Sequence, residues 1–469
     1  MENYLIRRVS PRTSSLVSLA ALLLFLPFLL FGAYQTVILV SRATGTPATI
    51  IVDAKAPLGL IPTDFYHAFS QGGEEATDML APVVDQVRSL RPRIIRIDHI
   101  YDHHNVVGRS GDQLTFDFSS LDRSVDTILA VGAKPMLVLS FMPQVIAQGG
   151  SIINPPNNWD EWALVVQRTI EHYSGRGAKN ISGIYYEVWN EPDLAQFGSW
   201  KVGGEKSYLQ LYRYASIGAR RAQNVNTFYL GGPSTTGLYK NWIMALITSG
   251  NRVDYLSWHS YLNEPLRFEQ DQRNLISWLL PYPQFTLIPT LITEAGFTGN
   301  KDRRYGTSFA AAYTAAVVRQ LISGGPDFLF SFQLKDGPGQ EEGNGWGLIT
   351  HEGNGKRPKP RYSVYTYLDA MAGTRVNLTG EGTWVTAYAS VDKDKTIRIL
   401  LVNFDPYGSH TETVPVTLTN LESGTYTIRQ RYFLGQNTTS QETVTTTELK
   451  KEILMPAQSI VILEVTRTP

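Results

Sequence analysis

The sequence predicts an α/β protein: a (β/α)8 TIM barrel with a C-terminal β-sandwich and an N-terminal transmembrane helix. Three observations predict it. Apolar, β-branched runs alternate with amphipathic helical segments over about 320 residues, the pattern of βα units around a parallel sheet. From about Arg375, short alternating stretches bounded by turn residues replace that pattern. Ahead of both, Leu16 to Val40 is an uncharged run of about 25 residues, long enough to span a bilayer.

Met1 to Ser15 carries Arg7, Arg8 and Arg12 against a single acid, Glu2. The apolar run behind it exceeds the roughly 7–15 residues of a secretory core, so it reads as an uncleaved signal anchor. Ser41-Arg42-Ala43-Thr44-Gly45 leaves cleavage and secretion as the alternative. The positive-inside rule puts the arginines in the cytoplasm and everything after Arg42 outside. The chain then divides into residues 1–43, a basic stub and anchor; 44–58, a linker with a strand at Thr49 to Asp53; 59–373, the barrel; and 374–469, the sandwich. The Thr49 strand has no place in the barrel count and is expected to join the sandwich.

Eight barrel strands are expected, at Phe65–Ser70, Ile94–Asp98, Pro135–Leu139, Tyr185–Trp189, Phe228–Gly231, Asp254–Trp258, Thr290–Thr293 and Leu329–Phe332. Apolar residues at three- and four-residue steps place helices between them, at Met79–Leu90, Leu121–Val131, Trp159–Tyr173, Lys206–Gln223, Asn241–Ser249, Phe268–Leu280 and Tyr305–Ser323. Tyr362–Met371 closes the eighth unit. The sandwich strands are expected at Trp384–Val391, Thr396–Asn403, Glu412–Leu418, Gly424–Tyr432 and Ser459–Val465.

Composition excludes several classes of function. Lys+Arg and Asp+Glu are both 42, and a nucleic-acid binder normally shows a basic excess. With no Cys there is no disulfide, thiolate zinc site or cysteine nucleophile. Nine Trp and 24 Tyr suit sugar-binding faces, although most such rings belong to the core.

The chemistry centres on Tyr185-Tyr186-Glu187-Val188-Trp189-Asn190-Glu191-Pro192. Pro192 cannot donate to a ladder, so the fourth strand stops there. Asn190 and Glu191 are left on its C-terminal lip, where barrel enzymes place catalytic groups. A carboxylic acid beside a carboxamide suits proton delivery to a glycosidic oxygen while a neighbouring hydroxyl is held. Leu291-Ile292-Thr293-Glu294-Ala295-Gly296 puts a second carboxylate, Glu294, at the end of the seventh strand, across the barrel mouth. Two facing carboxyl groups are what glycoside hydrolysis needs. Asp98 and His99 fall at the lip of the second strand and are expected to contact substrate. A metal-dependent hydrolase built on Asp98-His99-Ile100-Tyr101-Asp102-His103-His104 competes with that assignment, and no metal is expected. His103 and His104 read as loop surface. Glu187, one β-period from Trp189, is expected to point with it in a structural role, and Trp189 could serve either the core or a sugar face.

Val188-Trp189-Asn190-Glu191-Pro192-Asp193 with Thr293-Glu294 resembles the retaining glycoside hydrolases of clan A. Over residues 60–372 the chain resembles glycoside hydrolase family 39 more closely. Leu230-Gly231-Gly232-Pro233, Trp258-His259-Ser260-Tyr261 and Lys359-Pro360-Arg361-Tyr362 are also similar, and an appended β-sandwich fits. The resemblance implies cleavage of xylosides, uronides, exopolysaccharide or other glycosides by double displacement, without a cofactor. It implies Glu191 as acid/base, Glu294 as nucleophile and Asn190 on the adjacent hydroxyl. Arg96 would pair with the nucleophile, Tyr261 would hydrogen-bond it, and His259 would line the subsite. Where the family often has Trp after the nucleophile, this chain has Ala295, and the aromatic platform would come from Phe332 or Trp346. Arg96 and a tyrosine hydroxyl should lower the pKa of Glu294, whose charge should in turn raise that of Glu191. The partners expected are thus an oligo- or polysaccharide and, through Leu16 to Val40, a membrane. The alternative to an enzyme is a non-catalytic, glycan-binding barrel on the cell surface.

Overall fold

The computed structural model describes Leu26, residues 45–340 and residues 344–468. The expected anchor, Leu16 to Val40, lies outside these apart from Leu26. Among the described residues no helix is long and apolar enough to cross a membrane.

The first strand, β1 (Ile50–Leu60), pairs antiparallel with Thr374–Thr379 and parallel with Glu412–Thr419, so the early part of the chain is built into the C-terminal sheet. Chain order continues with β2 (Ala68–Gln71), β3 (Ile94–Ile97), a hairpin of β4 (Val107–Ser110) and β5 (Gln113–Phe116), then β6 (Lys134–Leu139) and β7 (Ile184–Val188). β8 (Phe228–Thr235), β9 (Tyr255–Tyr261), β10 (Thr290–Gly296) and β11 (Phe328–Phe332) follow. Apart from β1 and the hairpin, these strands close into an eight-stranded barrel of order β10-β11-β2-β3-β6-β7-β8-β9 with every neighbouring pair parallel. Ala68, Ile94, Met136, Tyr255, Leu291 and Phe330 fill its floor. The barrel is therefore a packed core with an opening only at the strand ends.

The helices around it are α1 (Val84–Ser89), α2 (Ser119–Ala130), α3 (Trp159–Tyr173), α4 (Tyr208–Arg221), α5 (Lys240–Ile247), α6 (Leu266–Leu279), α7 (Ser308–Leu321) and α8 (Pro360–Ala370). Local chemistry sets several of their starts. The Asn158 side chain accepts from the Asp160 N–H at 2.9 Å, and the Ser207 hydroxyl from the Gln210 N–H at 3.2 Å. Pro360 opens α8, where its missing N–H costs nothing.

Three boundaries depart from expectation. The first barrel strand starts at Ala68, because Asp64–Tyr66 form a 3-10 turn with Phe65 and Tyr66 both buried. A short run of consecutive apolar residues does not distinguish the two. The helix expected from Met79 is α-helical only over α1, after a 3-10 turn at Ala81–Val83 that contains Pro82. The sheet-rich region holds more strands than its alternating stretches reveal: β12 (Thr374–Thr379), β13 (Val385–Val391), β14 (Ile397–Asn403), β15 (Glu412–Thr419), β16 (Gly424–Tyr432), β17 (Asn437–Val444), β18 (Leu449–Met455) and β19 (Ile460–Arg467). β17 is mostly exposed at a sheet edge and has no apolar face to announce it.

With β1, these strands form a nine-stranded sheet of order β17-β16-β19-β14-β13-β12-β1-β15-β18. Strand period decides which residues face which core. On β14, Ile399 and Leu401 join a core internal to the sheet, with Val52, Val416 and Ile453. Leu400 and Val402 point the other way and join the barrel's core. Phe404 packs its ring on Phe309 and Tyr313 of α7, at 5.1 and 5.6 Å between centroids. The sheet is thus fixed to the barrel's outer helices.

Candidate active site

β3, β7, β9 and β10 deliver their C-terminal residues to one buried polar cluster. Arg96, on β3, is fully buried and forks three ways. Its Nε donates to Glu187 Oε2 at 2.7 Å, its Nη1 to Glu294 Oε1 at 2.9 Å and its Nη2 to Asn190 Oδ1 at 2.7 Å. A planar guanidinium can satisfy three such acceptors at once. Tyr261, from β9, donates its hydroxyl to Glu294 Oε2 at 2.6 Å. His259 Nδ1 lies 2.8 Å from Glu191 Oε1 and 3.6 Å from Glu294 Oε2. An oxygen of Glu191 and one of Glu294 lie within 4.8 Å of each other.

The backbone is distorted where these groups are presented. Glu191 has φ +41°, Trp189 +73°, Ser234 +54° and His99 +53°, all non-glycine residues in the left-handed region. Such conformations cost about 1–3 kcal/mol each and persist where surrounding structure imposes them. Here the Glu191 N–H donates to the Ser234 carbonyl at 3.0 Å. Pairing along β10 skips a residue between Ile292 and Glu294 on its β9 side, and β8 does so between Pro233 and Thr235. A bulge re-aims the side chain that follows it. Ser234, in the second bulge, approaches His259 Nε2 at 3.0 Å.

Electrostatics follow from burial. Burial raises the Glu294 pKa, and although His259, Arg96 and Tyr261 oppose this, the net direction is upward. The expectation of a lowered value therefore fails, because loss of water outweighs three favourable neighbours. Burial and the Glu294 charge push the Tyr261 pKa well above its usual value, so the hydroxyl remains a donor. For His259, burial lowers the pKa, but Glu294 and Glu191 raise it more. Arg96 stays charged because Glu187 and Glu294 outweigh its burial.

Above the cluster is a cavity of about 590 Å³ lined by Asn190, Glu191, Tyr261, Glu294, Asp98, His99, Phe332 and Trp346, among others. Arg96 and His259 lie beneath its floor. Phe332 and Trp346 meet edge to face at 5.7 Å. His99 Nδ1 is 2.7 Å from Asp102 Oδ2. Besides His259, which is buried beneath the cavity instead of lining it, two placements differ from the sequence expectations. Glu187 does not point with Trp189: it enters the barrel against Arg96, while Trp189 sits beyond the end of β7 with reversed φ. Trp189 packs on Phe141 and Trp200 and donates Nε1–H to the Phe197 carbonyl. His104 is buried rather than on the loop surface, because the turn after β3 folds its ring onto Ser120 at the start of α2. Glu341 and Glu342, whose stretch Gly337 to Gly347 reads in the sequence as a flexible loop over the site with solvated acids, lie outside the described residues. Sequence reasoning missed Ser234 and Glu74, which also lines the cavity. Glu74 follows Gly72-Gly73 just beyond β2, a strand-end position that could have drawn attention to it.

Three groups among the described residues bring metal-type ligand atoms together: His99, Asp102 and His103; Glu75, His351 and Glu352; and Glu191, His259 and Glu294. In the second and third, cations already pair with the carboxylates: Lys335 ion-pairs with both Glu75 and Glu352, and Arg96 holds Glu294. A second cavity, about 480 Å³, opens at the other end of the barrel strands, where Arg91 and Arg93 pair with Asp369 and Asp64. That end of a barrel is the one associated with stability.

Residues 78–276 match the family model described as glycosyl hydrolases family 39. The chain is 26% identical over 360 residues to a β-xylosidase of Caldicellulosiruptor saccharolyticus, covering 69% of this chain and 71% of that protein. It is 25% identical over 312 residues to a β-xylosidase of Geobacillus stearothermophilus, covering 57% and 58%. Among solved structures, a monomeric β-xylosidase from Caulobacter crescentus CB15 superposes with a TM-score of 0.73 at 20% identity, over 90% of this chain and all (100%) of that one. Family match, relatives and fold together support membership of glycoside hydrolase family 39, and they indicate a glycosidase that hydrolyses O-glycosyl compounds.

Proposed function

We propose that the chain is a retaining, xylosidase-like glycosidase working by double displacement, with Glu294 as nucleophile and Glu191 as acid/base. The observation that carries this is that both carboxyl groups reach one ring nitrogen: His259 Nδ1 lies 2.8 Å from Glu191 Oε1 and 3.6 Å from Glu294 Oε2. Retention uses carboxyl groups about 5–5.5 Å apart, closer than the about 6.5–9.5 Å that inversion leaves for a water, and a pair that meets at a single ring nitrogen fits the closer arrangement. The surroundings fit the two roles. Arg96 and Tyr261 bind both oxygens of Glu294, which fixes it for attack and supports its ionised form against burial. His259 Nε2 faces the Arg96 Nη2 donor at 3.4 Å, which favours the tautomer with Nδ1–H donating to Glu191 Oε1. Oε1 then serves as acceptor, and the acidic proton sits on Oε2. Once Glu294 carries the glycosyl group its charge is gone, and Glu191 can release its proton and activate water. Asn190, pinned by Arg96, is set to bind the hydroxyl beside the reacting carbon.

A cavity of about 590 Å³ is within the range of small-molecule sites, which supports action at the end of an oligosaccharide over the binding of a long polymer. The uncharged Leu16 to Val40 behind three arginines supports a single-pass anchor with the barrel outside the membrane.

The mechanism is tested by following the anomer released from an aryl β-xyloside by NMR and by trapping with a 2-deoxy-2-fluoro glycosyl fluoride. The β-anomer should appear first and the label should sit on Glu294. Inversion, or a label elsewhere, refutes the assignment. The anchor is tested by washing membranes with alkaline carbonate, and release of the full-length chain into the wash would overturn it.

A further inference from the structure

The polar lining of the cavity is one-sided. Besides Glu191 and Glu294 it holds two more acids, Glu74 and Asp98, and no Lys or Arg is among its described lining residues. Arg96, just beneath, is fully committed to Glu187, Glu294 and Asn190. Glu74 is anchored from one side only: Gln333 Nε2 donates to its Oε1 at 2.7 Å. Gln333 is itself held by the Gly72 N–H at 2.9 Å and by Gln71 Nε2 at 3.1 Å, so this end of Glu74 is rigidly placed. The other oxygen, Oε2, is shielded from solvent and has no hydrogen-bond partner among the described residues, and the same is true of Asp98 Oδ1. Two buried carboxyl oxygens left unpaired at the edge of a sugar-sized cavity are costly unless a ligand supplies donors. Burial pushes the Glu74 pKa up to about 7, and the Asp98 and Glu294 charges add to the rise.

We propose that Glu74 and Asp98 are the specificity-determining residues of the glycone subsite, accepting from hydroxyls of an uncharged sugar and excluding uronides. A sugar hydroxyl satisfies each unpaired oxygen, and two such donors hold the ring at its non-reacting end. A sugar carboxylate brings no donor in its ionised form. It would add a charge to a site whose described lining holds four carboxyl groups and no Lys or Arg, where like charges repel. Discrimination therefore comes from a repulsive element as well as an attractive one. The proposal rests on the glycosidase reading above, since it takes the space between Glu191 and Glu294 as the site of the scissile bond.

The test compares kcat/KM of the full-length protein for a matched pair, an aryl β-xyloside and the corresponding aryl β-glucuronide, in the wild type, Glu74→Gln, Asp98→Asn and the double variant. The wild type should favour the xyloside by at least about 10³-fold. Each single substitution should narrow that ratio by about tenfold or more, through a higher KM for the xyloside and a measurable rate on the glucuronide. Folding of each variant is followed by thermal melting, and Asp98→Asn carries the comparison if Glu74→Gln does not fold. A wild-type preference for the glucuronide, or an unchanged ratio in both variants, overturns the proposal while leaving the mechanism standing. Failure of the fluoro sugar to label Glu294, with neither glycoside cleaved, would instead remove the underlying reading and this inference with it.

Discussion

Replacing Arg96 by Lys tests the centre of the site directly. The guanidinium holds three acceptors at 2.7–2.9 Å, and it and Glu187 are fully buried. A lysine ammonium is one point charge on a shorter reach and cannot serve Glu187, Glu294 and Asn190 together. At least one buried carboxylate loses its partner, a loss of about 3–5 kcal/mol in stability. Glu187 is the more exposed to this, because its Oε1 has no partner among the described residues even in the native arrangement. Activity should fall about 10²–10³-fold in kcat/KM, equivalent to about 3–4 kcal/mol, through a loosened Asn190 and a poorly ionised Glu294. The pH dependence gives a sharper check. Arg96 is one of the groups that lower the Glu294 pKa, so its removal raises that pKa further. A nucleophile reacts only when ionised, and the acidic limb of kcat/KM should move to higher pH. Thermal melting and a pH profile on an aryl β-xyloside measure both effects. A melting temperature within about 1 °C of wild type, together with kcat/KM within about threefold and an unmoved acidic limb, would refute the reasoning.

Three further outcomes are expected. Glu74 has a folded pKa raised from 4.5 to about 7, so between those values the folded state keeps a proton that the unfolded state has lost, and stability falls as pH rises through that window. Glu74→Gln should remove this, gaining up to about 3 kcal/mol on the wild type between pH 4 and pH 8 in denaturant titrations; parallel curves would contradict it. Glu191→Ala should slow glycosides with poor leaving groups by about 10²–10⁴-fold, with much less effect on activated aryl glycosides, and azide should restore turnover; equal loss on all substrates would argue against an acid role. Phe404→Ala, at the contact between the sheet and α7, should cost about 3–5 kcal/mol by calorimetry, since this ring packs on Phe309 and Tyr313; a melting transition unchanged from wild type would contradict it.

Much of the site was legible because its residues follow strong local signals. The Asn190-Glu191-Pro192 signal marks the lip of β7, which ends at Val188, and the apolar run before Glu294 carries that acid to another strand end; the barrel brings both to one cavity. Glu187 was less legible. Strand alternation pairs it with Trp189, but alternation holds only while the backbone stays extended, and φ at Trp189 is +73°. Ser234 was hidden for a related reason, since it sits in an irregularity of pairing between two strands that are separate in sequence. Glu74 was missed because what marks it is Gln333, 259 residues away, which only the fold sets against it.

The sequence by itself determined the alternation of strands and helices, the change to short β-strands near Arg375, and two carboxylates on strand ends, because each depends on spacing within a few residues. Tertiary structure decided what those groups experience. Arg96, Glu187, Asn190, Glu294, Tyr261 and His259 come from four barrel strands and the loops just beyond them, and only closure of the sheet brings them within hydrogen-bond distance. Burial is likewise a property of the whole fold, which is why Glu294 is displaced upward although three favourable partners surround it.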